Sequence, residues 1–237
     1  MDNVFFFLDI GEYLSIHIKK PNCNNAKAVV IWLHGLGADG NDMIRVVDAF
    51  QDNLPIVHIF VDAPIRPVTI NNNMPMRAWY NISGMQLTDR EDLDGILASE
   101  KIINDIIESQ VKEGFSYQQI FLAGFSQGGA LALFISLRNQ HQIGGCISLS
   151  AYLPCVAQCS NTYHPNLPIF MAMGEFDLVV QPAWTKASYS WIRSKYFVNL
   201  TWKQYPMAHN ICIEEINDIS FWLNERIKEL NYLGEKQ

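Results

Sequence analysis

A serine stands at the centre of the segment GFSQG, residues 124–128. The apolar run IFLA precedes this segment and the run ALALFISL follows it, which predicts a strand, a sharp turn and a helix in succession. The two glycines let the chain turn tightly because they carry no Cβ that would strike the neighbouring strand and helix. A serine at such a turn is typical of a nucleophile in acyl transfer. We therefore predict that Ser126 is a nucleophile; the alternative is a glycine-rich turn with an incidental serine.

A nucleophilic serine needs a histidine that takes its proton and a carboxylate that orients the histidine. His209 lies in the segment YPMAHN, between the last predicted strand and the last predicted helix. Asp177 follows the apolar run PIFMAMG, and the order serine, aspartate, histidine along the chain is typical of this arrangement. Glu175 is an alternative carboxylate. His34 is an alternative base, although it lies beside an early glycine-rich loop that it is better placed to brace.

The negative oxygen that develops in acyl transfer needs hydrogen-bond donors. Gln127 follows the serine and opens the predicted helix, so its backbone N–H is the first candidate donor. Leu36 stands between two glycines in the segment HGLG, after another apolar run, and its backbone N–H is the second candidate. With these groups, Ser126 would attack an ester or thioester carbonyl and water would then release the acyl group.

Short apolar runs alternate with helical patterns along the chain. Five of the seven predicted strands are continuously apolar, which is typical of a parallel sheet covered on both faces. Apolar residues at helical spacing predict helices at 96–111, 130–137 and 214–227. This alternation predicts an α/β fold with a mostly parallel sheet whose strands end at one shared edge. The predicted strands cover residues 13–19, 28–33, 56–61, 119–124, 145–150, 168–174 and 199–205.

The composition narrows the class of protein. A chain of 237 residues with 49% hydrophobic and 17% charged residues predicts one globular domain over 1–237. The net charge of −7 argues against binding to nucleic acid. Five irregularly spaced cysteines predict reduced thiols in the cytoplasm, and we expect neither a signal peptide nor a membrane span. The spacing of Cys155, Cys159 and His164 matches no known metal site, so no metal and no cofactor are predicted.

Six motifs occur in a fixed order from about Val29 to the C-terminal helix: WLHGLGADGND, RPVTINNNMPMRAWYNI, LAGFSQGGALAL, LSAYLP, GEFDLVV and YPMAHNICIEEI. This combination resembles the acyl-protein thioesterase and carboxylesterase (lysophospholipase-like) family, especially its bacterial members. The resemblance implies an α/β-hydrolase fold with helices on both faces of the sheet and no large cap domain. It implies hydrolysis of carboxylic esters with short to medium acyl chains, with acyl-protein thioesters and lysophospholipids as further candidates. The resemblance places the catalytic roles on Ser126, Asp177 and His209. It places the oxyanion roles on the backbone N–H groups of Leu36 and Gln127.

The resemblance also implies an acyl-binding groove with a mobile flap near residues 78–80. Met74, Met76, Trp79 and Met85 are the candidate groove residues, and ordinary loop packing is the alternative for them. Ala208 stands where the family often has glycine, which leaves the shape of the groove open. The expected partners are a small-molecule or lipid ester and acylated proteins, without stable insertion into a membrane. The chain is expected to be a monomer or a weak homodimer.

Other functions remain compatible with these motifs. Peptidases use the same three side chains on the same fold, and the fold alone does not choose between them. A catalytically silent scaffold that binds a lipid or an acyl group is a further alternative. The complete set of catalytic and oxyanion positions favours an enzyme over a silent scaffold.

Overall fold

The computed structural model describes residues 2–7, 13–23, 25–51, 54–160, 164–195 and 199–234. Within these residues the chain forms ten strands and five α-helices. The strands are β1 (Asp2–Phe7), β2 (Tyr13–Lys19), β3 (Ala28–Leu33), β4 (Ile56–Val61), β5 (Ile65–Val68), β6 (Met74–Arg77), β7 (Ile120–Phe125), β8 (Gly145–Leu149), β9 (Ile169–Gly174) and β10 (Leu200–Tyr205). The helices are α1 (Gly40–Asp48), α2 (Leu93–Lys112), α3 (Gln127–Arg138), α4 (Pro182–Lys195) and α5 (Ile213–Gly234).

Eight strands form one sheet in the order β1-β2-β4-β3-β7-β8-β9-β10. The six strands from β4 to β10 in this order run parallel. The strands β1 and β2 pair antiparallel at one side. Because parallel strands share a direction, the loops after β3, β7, β9 and β10 all lie at the carboxyl edge of the sheet. The strands β5 and β6 form a separate antiparallel hairpin.

The two faces of the sheet are both covered. The odd-numbered residues of β3 pack in one apolar layer with α2 and α3, and its even-numbered residues pack in the other layer with α1 and α5. Every residue of β3 has zero exposure. A strand buried on both faces needs apolar side chains at every position, which explains the continuous run AVVIWL. The predicted α/β fold with helices on both faces is confirmed.

The seven predicted strands match β2, β3, β4, β7, β8, β9 and β10 to within one residue at each end. The three predicted helices lie within α2, α3 and α5. Helix α3 is buried from Gln127 to Leu137, as its uniformly apolar sequence predicts. Helix α4 was not predicted, because two of its three fully buried residues, Thr185 and Ser188, are polar and only Ile192 gives a buried apolar signal. The strand β1, the β5–β6 hairpin and the short helix α1 were also not predicted.

None of the helices in the described ranges is both long and apolar enough to cross a bilayer. In the described ranges no cysteine forms a disulfide, and burial raises the pKa of the Cys146 and Cys159 thiols to about 12. In the same part of the chain, no three His, Cys, Asp or Glu side chains are grouped so that they could hold a metal ion.

Candidate active site

Ser126 occupies the turn between β7 and α3 with φ 54° and ψ −120°, a conformation that non-glycine residues rarely adopt. Such a conformation costs on the order of 1–3 kcal/mol and persists only where the surroundings fix it. The Ser126 N–H donates to the carbonyl of Leu149 at 2.9 Å, and its carbonyl accepts from the N–H of Ala130 at 2.9 Å. These bonds to β8 and α3 hold the serine at the carboxyl edge of the sheet.

The glycines on either side of the serine are required by close backbone contacts. A Cβ on Gly128 would lie 2.1 Å from the carbonyl oxygen of Leu33, at the end of β3. A Cβ on Gly124 would lie 2.4 Å from the carbonyl carbon of Gly128. Any other residue at either position would push α3 away from the strands that carry it, so the glycines of GFSQG set the position of the serine.

The structure brings the three predicted catalytic side chains together. His209 Nε2 lies 2.9 Å from Ser126 Oγ, and His209 Nδ1 lies 2.7 Å from Asp177 Oδ2. An ionised carboxylate only accepts hydrogen bonds, so this contact places the imidazole proton on Nδ1 and leaves the Nε2 lone pair facing the serine hydroxyl. The Phe125 ring lies against the imidazole, with 4.7 Å between the ring centroids.

The Asp177 carboxylate is held by its own loop. Its side chain is 1% exposed, and its second oxygen, Oδ1, accepts the N–H groups of Val179 and Val180 at 2.8 and 2.9 Å. Hydrogen bonds to the charged form offset the cost of burying the carboxylate. Both of its oxygens are therefore satisfied, one by the backbone and one by His209.

The loop that carries the aspartate is joined to the histidine loop (residues 206–212). The Phe176 N–H donates to the carbonyl of Met207 at 3.0 Å. A Cβ on Gly174 would lie 2.4 Å from the carbonyl oxygen of Ala208, so a glycine is needed where β9 ends. This contact fixes the spacing between the two loops and hence the distance from the carboxylate to the imidazole.

Glu175, the alternative carboxylate, and His34, the alternative base, lie outside the contacts that join Asp177, His209 and Ser126. The Glu175 side chain is exposed and makes no bond to the histidine loop within the described residues. His34 is fully buried: its Nε2 accepts the N–H of Ala63 at 2.9 Å, and its Nδ1 lies 2.7 Å from the carbonyl oxygen of Gly35. Accepting at Nε2 places the His34 proton on Nδ1, which donates to Gly35. Burial lowers the pKa of His34, so the ring is a neutral brace for the loop that follows β3.

This loop, the glycine loop (residues 34–38), lies beside the serine. Gly37 has φ 75°, and its N–H donates to the carbonyl of Arg77 at 2.9 Å. A Cβ on Gly35 would lie 3.4 Å from the Cβ of Ser126. Across the described ranges, the backbone N–H groups of Leu36 and Gln127 donate to no protein acceptor. Both predicted oxyanion donors are thus unengaged and border the serine.

The side chain of Gln127 has a role that the sequence did not predict. Its Oε1 accepts the N–H of Trp79 at 2.9 Å, and its Nε2 donates to the carbonyl of Tyr80 at 2.7 Å. The indole N–H of Trp79 donates in turn to the carbonyl of His34 at 2.9 Å. A buried amide with a satisfied donor and acceptor is expensive to disrupt, so these bonds fix residues 79–80 to both the serine turn and the glycine loop. No sequence signal marks such a clamp, because its partners are more than 40 residues away.

A cavity of about 560 Å³ opens beside Ser126 and His209. Its walls come from the glycine loop, α1, the histidine loop, the first turn of α5, Phe125 beside the serine and Val179 after the aspartate. None of the four predicted groove residues lines it. Trp79 has zero exposure, so for this residue the groove prediction is wrong and the alternative of ordinary packing holds. Met74 and Met85 are 62% and 80% exposed, Met76 is half-buried, and their role in a groove stays a prediction.

A buried carboxyl lies just after the histidine loop. Glu215, in the first turn of α5, has zero exposure, and neither of its carboxyl oxygens has a well-formed hydrogen bond to any residue that the structure describes. Burial raises the pKa of Glu215 to about 8, although the Cys212 N–H partly favours the charged form. The next residue, Ile216, lines the cavity.

Comparisons with known proteins cover most of the chain. A family model described as Phospholipase/Carboxylesterase matches residues 16–227. Acyl-protein thioesterase 1 of Yarrowia lipolytica is 34% identical over 211 residues, which cover 85% of this chain and 93% of that protein. Acyl-protein thioesterase 1 of Cryptococcus neoformans is 29% identical over 232 residues, which cover 90% and 98%. The crystal structure of Arabidopsis thaliana SOBER1 matches with a TM-score of 0.78 at 27% identity, covering 84% of this chain and 99% of that one.

These matches confirm the family resemblance of the sequence motifs and the α/β-hydrolase fold that it implied. The prediction of an enzyme is likewise confirmed at the level of a hydrolase. The chain therefore belongs to the phospholipase/carboxylesterase family of hydrolases.

Proposed function

We propose that this chain hydrolyses carboxylic esters and thioesters through an acyl-enzyme formed on Ser126. The observation that carries the proposal is a chain of two hydrogen-bond contacts. Asp177 Oδ2 lies 2.7 Å from His209 Nδ1, and His209 Nε2 lies 2.9 Å from Ser126 Oγ. A hydroxyl is a weak nucleophile at neutral pH, and an adjacent imidazole held by a carboxylate is the arrangement that activates it.

In the acylation step, His209 Nε2 takes the proton of the Ser126 hydroxyl while Oγ attacks the carbonyl carbon. The carbonyl oxygen becomes negative and accepts the backbone N–H groups of Leu36 and Gln127. The Asp177 carboxylate stabilises the imidazolium that forms. His209 then gives its proton to the leaving oxygen or sulfur, the bond from this atom to carbon breaks, and the acyl group stays on the serine.

In the deacylation step, His209 takes a proton from water, and the resulting hydroxide attacks the acyl-enzyme. The same two N–H groups stabilise the second oxyanion, which collapses as the bond between Oγ and the acyl carbon breaks and the imidazolium returns its proton to Oγ. The reaction releases a carboxylic acid and restores the serine. No cofactor takes part in this scheme.

The names of the relatives guide the choice of substrate. The proteins from Yarrowia lipolytica and Cryptococcus neoformans are named acyl-protein thioesterases, which supports acylated proteins as partners. The family description supports carboxylic esters and phospholipid-derived esters. We propose short to medium acyl chains, action in the cytoplasm and a single catalytic domain over 1–237, as either a monomer or a weak homodimer. A single sheet contains both β1, which begins at Asp2, and β10, which ends at Tyr205, and this supports the single domain.

A fluorophosphonate probe tests the nucleophile directly, because it reacts with an activated serine and needs no knowledge of the substrate. We expect the wild-type protein to be labelled and Ser126→Ala to stay unlabelled. Ser83→Ala, at a serine bonded to the carbonyls of residues 89 and 90, is the matched control and should label like wild type. Equal labelling of wild type and Ser126→Ala would remove Ser126 from the mechanism.

The substrate class is tested by rates on acyl chains of increasing length, each as an oxygen ester and as a thioester. We expect Ser126→Ala and His209→Ala to lower kcat by about 10⁴ or more on every member of the series. Cleavage of peptide bonds at rates comparable with esters would instead favour a peptidase.

A further inference from the structure

The cavity beside the serine lies on one side of the site. From Ser126 and His209 it extends toward Met43 and Val46 of α1, toward Ile211 of the histidine loop and toward Ile216 in the first turn of α5. These helices cover the face of the sheet that contains the even-numbered side chains of β3. The β5–β6 hairpin, which carries the exposed Met74, contributes nothing to its walls.

In acyl transfer, the direction of the cavity determines which part of the substrate can enter it. The atom that leaves the tetrahedral carbon must receive the proton held by His209, so it must lie within hydrogen-bond distance of Nε2. The leaving group then continues from the imidazole into the space bordered by Asn210 and Ile211, which follow His209 in the histidine loop. The acyl chain departs from the same carbon in a different direction, so both parts of the substrate cannot occupy this space.

We propose that this cavity is the leaving-group subsite, and that the preferred substrates are esters or thioesters with a bulky, apolar alcohol or thiol part. This inference rests on the proposed function. The step balances without further reactants: the carbon–oxygen or carbon–sulfur bond breaks, the His209 proton passes to the departing atom, and the alcohol or thiol leaves.

The lining supports an apolar leaving group whose outer end reaches solvent. Met43 and Val46 are nearly buried and offer apolar surface beside the reacting atoms. Farther out, Arg45 lies 3.4 Å from Asp42, and the Arg45 side chain is 80% exposed. A neutralised ion pair at the open end offers no net charge for an anionic head group. A cavity of about 560 Å³ is large enough for an aromatic ring and its linker.

Two butyrate esters test the inference in the wild-type protein. Ethyl butyrate and 3-phenylpropyl butyrate share the acyl group and have alcohols of nearly equal acidity, so they differ in the size of the leaving group. The ratio of their kcat/KM values reports acylation alone, because both form the same acyl-enzyme. We expect the phenylpropyl ester to be favoured on the order of tenfold or more, which is the range of discrimination by an apolar pocket.

Variants of Val46 link this ratio to the cavity. Val46→Phe fills the space, and we expect it to lower the ratio about tenfold while ethyl butyrate is still cleaved. Val46→Ala widens the space and should raise the ratio for a larger ester, such as a naphthylpropyl ester. Val47→Ala is the matched control, since Val47 lies on the same helix with comparable burial but does not line the cavity. It should lower the melting temperature much as Val46→Ala does and leave the ratio unchanged.

Several results would overturn the inference. One is a wild-type ratio near one, and another is an unchanged ratio in Val46→Phe. A change in acyl chain-length preference, measured with ethyl butyrate against ethyl octanoate, would assign the cavity to the acyl chain instead. If Val46→Phe does not fold, the comparison of Val46→Ala with Val47→Ala decides. Equal ratios of kcat/KM in these two variants would contradict the inference. Fluorophosphonate labelling and turnover of ethyl butyrate separate these outcomes from a failure of the proposed function, in which both would be absent.

Discussion

Replacing Glu215 with glutamine is expected to remove a pH dependence from the stability of the protein. Glu215 has zero exposure, its carboxyl oxygens lack well-formed hydrogen bonds within the described part of the chain, and burial raises its pKa from the ordinary value of 4.5 to about 8. The nearby Asp218 carboxylate also raises this pKa. Glutamine has nearly the same shape and stays neutral at every pH.

The sign of the effect follows from the order of the two pKa values. Below pH 4.5 the carboxyl is neutral in the folded and the unfolded chain, so its burial costs least there. Between pH 4.5 and 8 the unfolded chain releases the proton while the folded chain keeps it. The free energy of unfolding therefore falls as pH rises through this window, by about 1.4 kcal/mol per pH unit.

Glu215→Gln should lack this slope. Between pH 5.5 and 8.5, we expect the stability of the variant relative to wild type to shift by about 3 kcal/mol in favour of the variant. Urea unfolding at several pH values measures the difference. Glu214→Gln is the matched control, because Glu214 is exposed in the same helical turn and the substitution makes the same chemical change from carboxyl to amide. Its stability relative to wild type should stay nearly constant over this range.

One comparison would contradict this prediction. The stability of Glu215→Gln relative to wild type could be the same at pH 5.5 and at pH 8.5, as we expect for Glu214→Gln. In that case Glu215 titrates like an exposed carboxyl. That result would mean that water or a rearranged donor reaches the carboxyl, and that its burial does not control the stability of the first turn of α5.

Two further predictions concern the site itself. Asp177→Asn should lower kcat on p-nitrophenyl butyrate by about 10⁴, because an amide no longer fixes the imidazole tautomer. Glu175→Gln should stay within about twofold, and the reverse pattern would reassign the carboxylate. Gly128→Ala should lower both activity, by about 100-fold or more, and the melting temperature, because its Cβ would lie 2.1 Å from the Leu33 carbonyl oxygen. Gly84→Ala, where a new Cβ meets nothing within 4 Å, should change neither, and a similar melting temperature for both alanine variants would contradict the steric argument.

Much of the fold could be predicted because its signals are local. A strand buried on both faces must be apolar at every position, and β3 is apolar at all six of its residues. Helix α3 is buried on all sides and shows this in the run ALALFISL. The elements that were not predicted lack such signals. The hairpin formed by β5 and β6 has exposed or half-buried residues at most positions, so no alternation marks it.

The site was predicted in part. Ser126 has a local signature, because the glycines on either side are needed for a turn whose contacts the structure shows. The clamp made by the Gln127 side chain had no signature, since it bonds to residues 79 and 80, which are distant in the chain. Trp79 was misjudged for the same reason: whether an indole lines a groove or is buried depends on what packs over it.

Local sequence patterns were enough to predict the alternation of strands and helices, the turn that carries the serine, and the three loops that offer a hydroxyl, an imidazole and a carboxylate. These features follow from side-chain size, apolarity and periodicity over short stretches of chain. Packing between distant segments places Ser126 Oγ 2.9 Å from His209 Nε2, although the two residues are 83 positions apart. It also buries Glu215 without a full set of hydrogen-bond partners among the described residues. The same packing opens the cavity toward α1 and α5. Distances and burial of this kind arise when separate elements pack against each other, and no single segment encodes them.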